Sequence, residues 1–123
     1  MNWILLIGLI YFLTRGSTLA LAIKPGVQLS TTPEIFQIRK AVQRVWSEYG
    51  YTPTITSSLD GHHMSGSKHY SGLAEDYRTM NLDNRHKSDM FAAVQDILGS
   101  DFQVLFEDVG MDNEHLHVEY DPS

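Results

Sequence analysis

Two stretches with helical periodicity constrain the fold more than any other feature of this 123-residue sequence. In the first, Thr32 and Pro33 predict a helix start, because threonine is a favoured N-cap and proline is tolerated at the first helical position. Apolar residues then recur at spacings of three and four as far as about Tyr49, and Gly50 predicts the end of the helix. The second stretch, residues 84–98, has the same periodicity. The sequence therefore predicts two amphipathic helices.

Short segments between and after these helices have strand character. Residues 52–59 are rich in β-branched side chains, and residues 73–78, 102–106 and 116–120 are further short strand candidates. A chain of this length can build one domain with a core of its own. The predicted fold class is α+β: a small antiparallel sheet of about four strands with two main helices packed on it, preceded by an N-terminal apolar segment.

The N-terminus is a separate apolar segment. Residues 3–13 are almost wholly apolar, residues 14–16 interrupt them, and a second apolar run covers residues 18–23. The first run alone is too short to span a membrane, since a spanning helix needs about 20 apolar residues. No Lys or Arg precedes it, which is unusual for an export signal, and Arg15 comes late.

We expect residues 1–22 to be a signal peptide, cleaved after Ala22, or a membrane anchor; a buried N-terminal helix is the third interpretation. Residues 23–123 would then form the functional domain. Export or anchoring predicts a protein of the cell envelope, with membrane association through residues 3–22.

Composition excludes several classes of site. The net charge of −6 argues against a nucleic-acid partner, whose binding needs a basic surface. Cysteine is absent, which excludes disulfides, thiol catalysis and thiolate metal ligands. Any metal ion must therefore be held by histidines and carboxylates.

Two polar segments, residues 67–76 and 114–119, contain the residue types of a catalytic metal site. A catalytic zinc takes three nitrogen or oxygen ligands from the protein and keeps a fourth position open for water. His69 in a predicted loop, together with Asp76 and His117 on predicted strands, can supply two imidazoles and one carboxylate. We therefore predict that these three residues bind a Zn²⁺ ion.

Residues near the predicted ligands complete a hydrolytic set. Glu114 stands three residues before His117, close enough to take a proton from water at the metal without being a ligand, and is the predicted base. His115 shares a strand face with His117 and would stabilise the oxyanion. Ser67 would hydrogen-bond the loop or the carboxylate ligand. The missing side chain of Gly72 would leave room for the chain to return towards the metal.

The two segments together resemble the zinc D-Ala-D-Ala carboxypeptidase family. The shared pattern is S-x-H-x-x-G-x-A-x-D, followed about forty residues later by E-H-L-H. That family shares its fold with phage endolysins that cut L-Ala-D-Glu bonds and with the signalling domain of Hedgehog proteins. The similarity covers residues 26–122 in order and spacing. The matching positions are Ser67, His69, Gly72, Ala74, Asp76, Glu114, His115 and His117.

The resemblance implies one zinc ion, bound by His69, Asp76 and His117, with Glu114 as the catalytic base. It also implies hydrolysis of peptidoglycan stem peptides, of either the D-Ala-D-Ala carboxypeptidase or the L-Ala-D-Glu endopeptidase type. The expected partner is thus a peptidoglycan peptide.

One departure from the family concerns substrate binding. Carboxypeptidases of this family often carry an Arg or Gln ahead of the metal motif, and residues 51–66 contain neither. Arg78 is the candidate replacement, because it shares a strand face with Asp76 and could bind a substrate carboxylate. Arg78 and Ser67 are therefore the predicted substrate-binding residues.

Other polar residues in or near the two segments have simpler interpretations. His62 and His63 lie in a Gly/Ser-rich loop, which predicts exposure. Lys68 and Glu75 alternate outwards from the ligands and are expected to be solvated.

Two functions without catalysis compete with the enzyme. One is a zinc-binding module of the Hedgehog type, against which the predicted base argues. The other is a membrane-tethered interaction protein, which leaves the His/Asp/Glu set unexplained.

Overall fold

The computed structural model describes residues 19–61, 63 and 65–122. It contains two helices and five strands. In chain order these are β1 (Ala22–Ile23), α1 (Pro33–Glu48), β2 (Thr54–Ser57), β3 (Ala74–Arg78), α2 (Asn84–Leu98), β4 (Phe102–Glu107) and β5 (His115–Tyr120).

The strands form one sheet in the order β1-β2-β3-β5-β4. β2, β3, β5 and β4 are antiparallel neighbours, whereas β1 pairs with β2 in parallel. The α+β prediction is confirmed. The sheet has five strands rather than the four expected, because a two-residue strand forms within the N-terminal apolar run.

The helix ends follow the local chemistry that the sequence indicates. The Thr32 side chain accepts a hydrogen bond from the backbone N–H of Ile35, and Pro33 occupies the first turn of α1. α2 begins after Asp83, whose side chain accepts from the N–H of Arg85. None of the helices in the described residues combines the length and apolarity that a membrane span requires.

One face of the sheet packs against the helices and the other remains open. Side chains alternate along a strand, so Tyr77, Leu116 and Val118 enter the core with Trp46 of α1 and Val94 of α2. The residues between them on β3 and β5 point to the opposite face. That face bears Asp76 and His117, two of the three predicted metal ligands.

The predicted domain boundary falls inside the sheet. The N–H of Ala22 donates to the carbonyl of Pro53, and Leu21 packs against the core. Gln43 donates to the carbonyl of Leu19. Residues 19–23 are therefore part of the folded domain, and the bond after Ala22 lies within β1. The rest of the predicted signal or anchor, residues 1–18, lies outside the described residues.

Candidate metal centre

The open face of the sheet forms the floor of a cleft of about 850 Å³. β3, β4 and β5 contribute the floor, and the loop between β2 and β3 forms a wall that carries His69. Antiparallel pairing places Asp76 directly opposite His117, and Arg78 opposite His115. The register thus brings together residues separated by about forty positions in the chain.

His69, Asp76 and His117 converge on one point, as predicted. The Oδ1 atom of Asp76 lies 3.1 Å from Nε2 of His69 and 2.9 Å from Nδ1 of His117, and the two ring nitrogens are 3.2 Å apart. A tetrahedral zinc ion with bonds of about 2.0–2.1 Å separates its ligands by roughly 3.3 Å. The donor triangle therefore has nearly the dimensions that such an ion requires.

Hydrogen bonds on the far side of each ring orient the donors. Nδ1 of His69 donates to the carbonyl of Ser58 at 2.7 Å, and Nε2 of His117 donates to Oε1 of Glu119 at 2.8 Å. In the neutral imidazole, each donation leaves a lone pair on the other nitrogen, facing the triangle. Two nitrogen lone pairs and a carboxylate oxygen thus face one another, an arrangement that only a cation between them satisfies.

In the absence of a metal, a proton can take that place. Burial lowers the pKa of His117, but its hydrogen bonds to the carboxylates of Asp76 and Glu119 outweigh burial and raise the pKa to about 9. Burial raises the pKa of Asp76, but its contacts with the rings of His117 and His69 hold this pKa well below its usual range. The triangle therefore stabilises positive charge at its centre, and the three buried residues could hold a metal ion.

His115 lies beside the donor triangle on the same face. Its Nδ1 donates to the carbonyl of Asn113, and its Nε2 lies 3.0 Å from Oε1 of Glu107 and 3.7 Å from Oδ2 of Asp76. Burial lowers the pKa of His115, but the Asn113 carbonyl and the two carboxylates raise it overall. His115 therefore lies in the cleft with each of its ring nitrogens next to an acceptor of the protein, and its predicted role at the oxyanion stays a prediction.

Glu114 borders the cleft, but its carboxylate is already engaged. Oε2 accepts hydrogen bonds from Lys87 Nζ at 2.8 Å and from Thr79 Oγ1 at 2.6 Å, and Oε1 accepts from the N–H of Gly110 at 3.0 Å. These contacts outweigh burial and lower the pKa of Glu114. The predicted base is therefore ionised, yet it forms a buried ion pair with α2 and is not one of the residues that converge with the donors.

The two predicted substrate-binding residues differ in their contacts. The Arg78 side chain is exposed in the cleft, two residues beyond Asp76 on β3. The hydroxyl of Ser67 accepts a hydrogen bond from the N–H of His69, so Ser67 fixes the loop that carries this predicted ligand.

Gly72 leaves room for Ser30 rather than for the return of the chain towards the metal. It has a φ of +76°, and a Cβ there would come within 2.6 Å of the Ser30 hydroxyl. Its carbonyl accepts hydrogen bonds from Ser30 and Thr32. Gly72 therefore joins the end of the loop that carries His69 to the start of α1.

Two features near the site differ from the sequence-based expectations. Glu75 is fully buried rather than solvated, because the helices cover the face of β3 opposite the ligands. His63 stacks on His69 with ring centroids 3.9 Å apart and lines the cleft. The interaction of these rings requires the tertiary fold.

Glu107 is the acidic residue near the donors that the sequence does not indicate. It lies on β4 opposite His115, and its Oε1 is 3.9 Å from Nδ1 of His117. The preceding residue, Phe106, packs against the core. Because side chains alternate along a strand, the apolar Phe106 is the sequence signal that places Glu107 on the open face of the sheet.

No protein-family model and no curated protein matches this sequence. The residues of the site and the motif that they form are therefore the basis for a functional proposal.

Proposed function

We propose that this protein is a zinc-dependent peptidase that hydrolyses peptidoglycan stem peptides. The observation that carries the proposal is the convergence of two imidazole nitrogens and one carboxylate oxygen at the floor of an open cleft. Catalytic zinc sites use three such ligands and leave a position for water or substrate, whereas structural sites close all four positions.

The choice of zinc follows from the donor set. Imidazole nitrogens and a carboxylate suit zinc, while Ca²⁺ and Mg²⁺ prefer all-oxygen sites. When bound, zinc would act as a Lewis acid and would lower the pKa of a coordinated water towards about 7.

The chain's own residues would bind and orient the substrate. Protonated His115 lies beside Asp76 and Glu107 in the cleft, where its positive charge can stabilise the carbonyl oxygen as negative charge develops. The guanidinium of Arg78, opposite His115 across the strands, can pair with a substrate carboxylate. Ser67 and Ser58 hold His69 in the orientation that the site needs.

The substrate class comes from the resemblance of residues 67–76 and 114–117 to the zinc carboxypeptidases and endolysins. Either a terminal D-Ala-D-Ala bond or an internal L-Ala-D-Glu bond fits this proposal. Such a substrate requires a location in the cell envelope, in agreement with a signal or anchor role for the N-terminal apolar residues.

A zinc-binding module without catalysis, of the Hedgehog type, is the second candidate. The observation in its favour is that both carboxylate oxygens of Glu114 are occupied by hydrogen-bond donors. This module and the enzyme share the metal site and differ only in turnover.

The test uses the full-length chain. Bound metal is measured by elemental analysis, and peptides released from purified peptidoglycan are identified by mass. A His117→Ala variant, which lacks one ligand, is the matched control. The enzyme proposal expects one zinc per chain and new peptides that the variant does not release. Zinc without cleavage would favour the binding module, and the absence of bound metal would contradict both.

A further inference from the structure

We propose that Glu107, rather than Glu114, is the general base of this site. This inference rests on the proposed peptidase function and names the residue that takes the proton from the attacking water. It depends on the contacts of two carboxylates that lie on either side of His115.

Glu107 lies in the cleft beside the donor triangle. Its Oε1 atom lies 3.0 Å from Nε2 of His115 and 3.9 Å from Nδ1 of His117. The side chain is 45% exposed and lines the cleft, so substrate and water can reach it. A general base must lie within hydrogen-bond reach of the proton that it removes.

The position of Glu107 is fixed by the sheet. β4 and β5 pair in a continuous antiparallel register in which Glu107 lies opposite His115, and Leu105 lies opposite His117. His115 holds the carboxylate by its Nε2, and its own Nδ1 is anchored on the Asn113 carbonyl. The carboxylate therefore stands on rigid strands, oriented by a neighbouring ring.

Glu114 has the environment of a structural residue. It is 5% exposed, and Lys87, Thr79 and Gly110 all donate to it. To act as a base it would have to release a hydrogen bond from Lys87, Thr79 or the Gly110 N–H. Its contacts join α2 to the turn before β5, which supports the strand that carries His117.

The proposed step is balanced without any further reactant. One proton of the attacking water passes to the Glu107 carboxylate as the water oxygen bonds to the scissile carbonyl carbon. The C–N bond then breaks with its electron pair on nitrogen, and Glu107 returns the proton to that nitrogen. The remaining proton of the former water passes from the new carboxylic acid to the amine, so that one water is consumed, a carboxylate and an ammonium group are produced, and Glu107 is regenerated.

The experiment compares two isosteric variants, Glu107→Gln and Glu114→Gln, in the full-length protein. Zinc content, the midpoint of thermal unfolding and kcat on peptidoglycan peptides are measured for each. For Glu107→Gln we expect kcat to fall by at least about 100-fold, with one zinc per chain and an unchanged unfolding midpoint. A Glu107→Asp variant, which keeps a carboxylate, should retain part of the activity.

For Glu114→Gln we expect the opposite pattern. The unfolding midpoint should fall, because Lys87 loses its buried partner, while kcat should fall by less than about tenfold. If this variant does not fold, the double variant Lys87→Met/Glu114→Met removes both charges together and is expected to cleave within about tenfold of the unsubstituted protein. The exposed cleft residue Asp112, changed to Asn, is the control for loss of any acidic group.

The outcomes separate this inference from the function on which it rests. Cleavage by Glu107→Gln at the rate of the unsubstituted protein would overturn the assignment of the base and leave the peptidase intact. Loss of zinc from Glu107→Gln would also overturn it, since Glu107 would then be a metal ligand. Failure of the unsubstituted, zinc-loaded protein to cleave would instead contradict the proposed function.

Discussion

Glu75 and Asp76 are consecutive carboxylates on β3, both buried, and they point to opposite faces of the sheet. Glu75 is surrounded by donors: Arg39 contributes two N–H groups, and the hydroxyls of Ser58 and Tyr77 contribute one each. Every one of these contacts joins a donor to an acceptor. The cluster is complete without any added ion.

Asp76 has a different kind of surroundings. Its Oδ1 atom faces the ring nitrogens of His69 and His117, whose other nitrogens already donate to Ser58 and Glu119. With both rings neutral, three acceptors face one another. A buried polar cluster whose donors and acceptors match stabilises the fold, and one whose acceptors face each other indicates a cation site.

Among these changes, substitution of Glu75 should lower the free energy of unfolding most. Glu75→Gln replaces one acceptor oxygen by an amide donor that faces other donors, and leaves Arg39 without a charged partner. Breaking a buried ion pair costs about 3–5 kcal/mol, so we expect a loss of this size in the free energy of unfolding, measured with denaturant. The exposed pair Arg44–Glu48 provides the control: Glu48→Gln should cost less than about 0.5 kcal/mol. Equal losses would contradict the matched-cluster interpretation.

The same isosteric change at Asp76 should act on zinc binding instead. Zinc present at a thousandfold excess over its Kd should stabilise the unsubstituted protein by about 4 kcal/mol. In Asp76→Asn we expect this increment to fall below about 1 kcal/mol, because a neutral amide is a poor zinc ligand. The metal-free variant should remain folded, since its amide can donate to a ring nitrogen. Unfolding is followed with zinc and with a chelator, and an undiminished increment would show that Asp76 is not a ligand.

The metal-free protein should lose stability as the pH rises. The folded-state pKa of His117, about 9, lies above its ordinary value of 6.5. Protonated His117 therefore stabilises the fold fully below pH 6.5, and this contribution disappears as the pH rises through 9. We expect a loss on the order of 1–3 kcal/mol across that interval. Denaturant unfolding in chelator from pH 6 to pH 9.5 measures it. His117→Gln should lose most of this dependence, and a slope unaffected by that change would contradict the assignment.

The smallest effect concerns substrate recognition by Arg78. Arg78→Met should raise KM by about tenfold, or about 1.4 kcal/mol, for a peptide with a free carboxylate near the cleavage site. The value of kcat should change little, because Arg78 is placed to bind rather than to transfer protons. Amidation of that carboxylate should weaken binding to the unsubstituted protein but not to the variant. An equal effect of amidation on both proteins would show that Arg78 does not bind this carboxylate.

Much of the fold and the metal site could be predicted from local sequence. Thr32, Pro33 and the periodicity that follows define α1, because capping and amphipathicity are local properties. Residue type and spacing predict His69, Asp76 and His117 as metal ligands, and the structure brings these three residues together.

The remaining features depend on tertiary contacts that the sequence does not show. The burial of Glu75 follows from helices packing over one face of β3. The approach of Glu107 to His115 follows from the register of β4 against β5, and the engagement of Glu114 follows from the position of Lys87 on α2. The sequence does not predict β1 and places Ala22 in the N-terminal segment, because two residues of edge strand have no periodicity to recognise.

Calorimetric titration of zinc into the metal-free, full-length protein, with Asp76→Asn titrated in parallel, measures whether the three converging acceptors bind one zinc ion. We predict one zinc per chain, with protons released on binding at pH 7.5 because the metal displaces the proton of His117. Absence of binding, or equally tight binding by Asp76→Asn, would contradict this prediction.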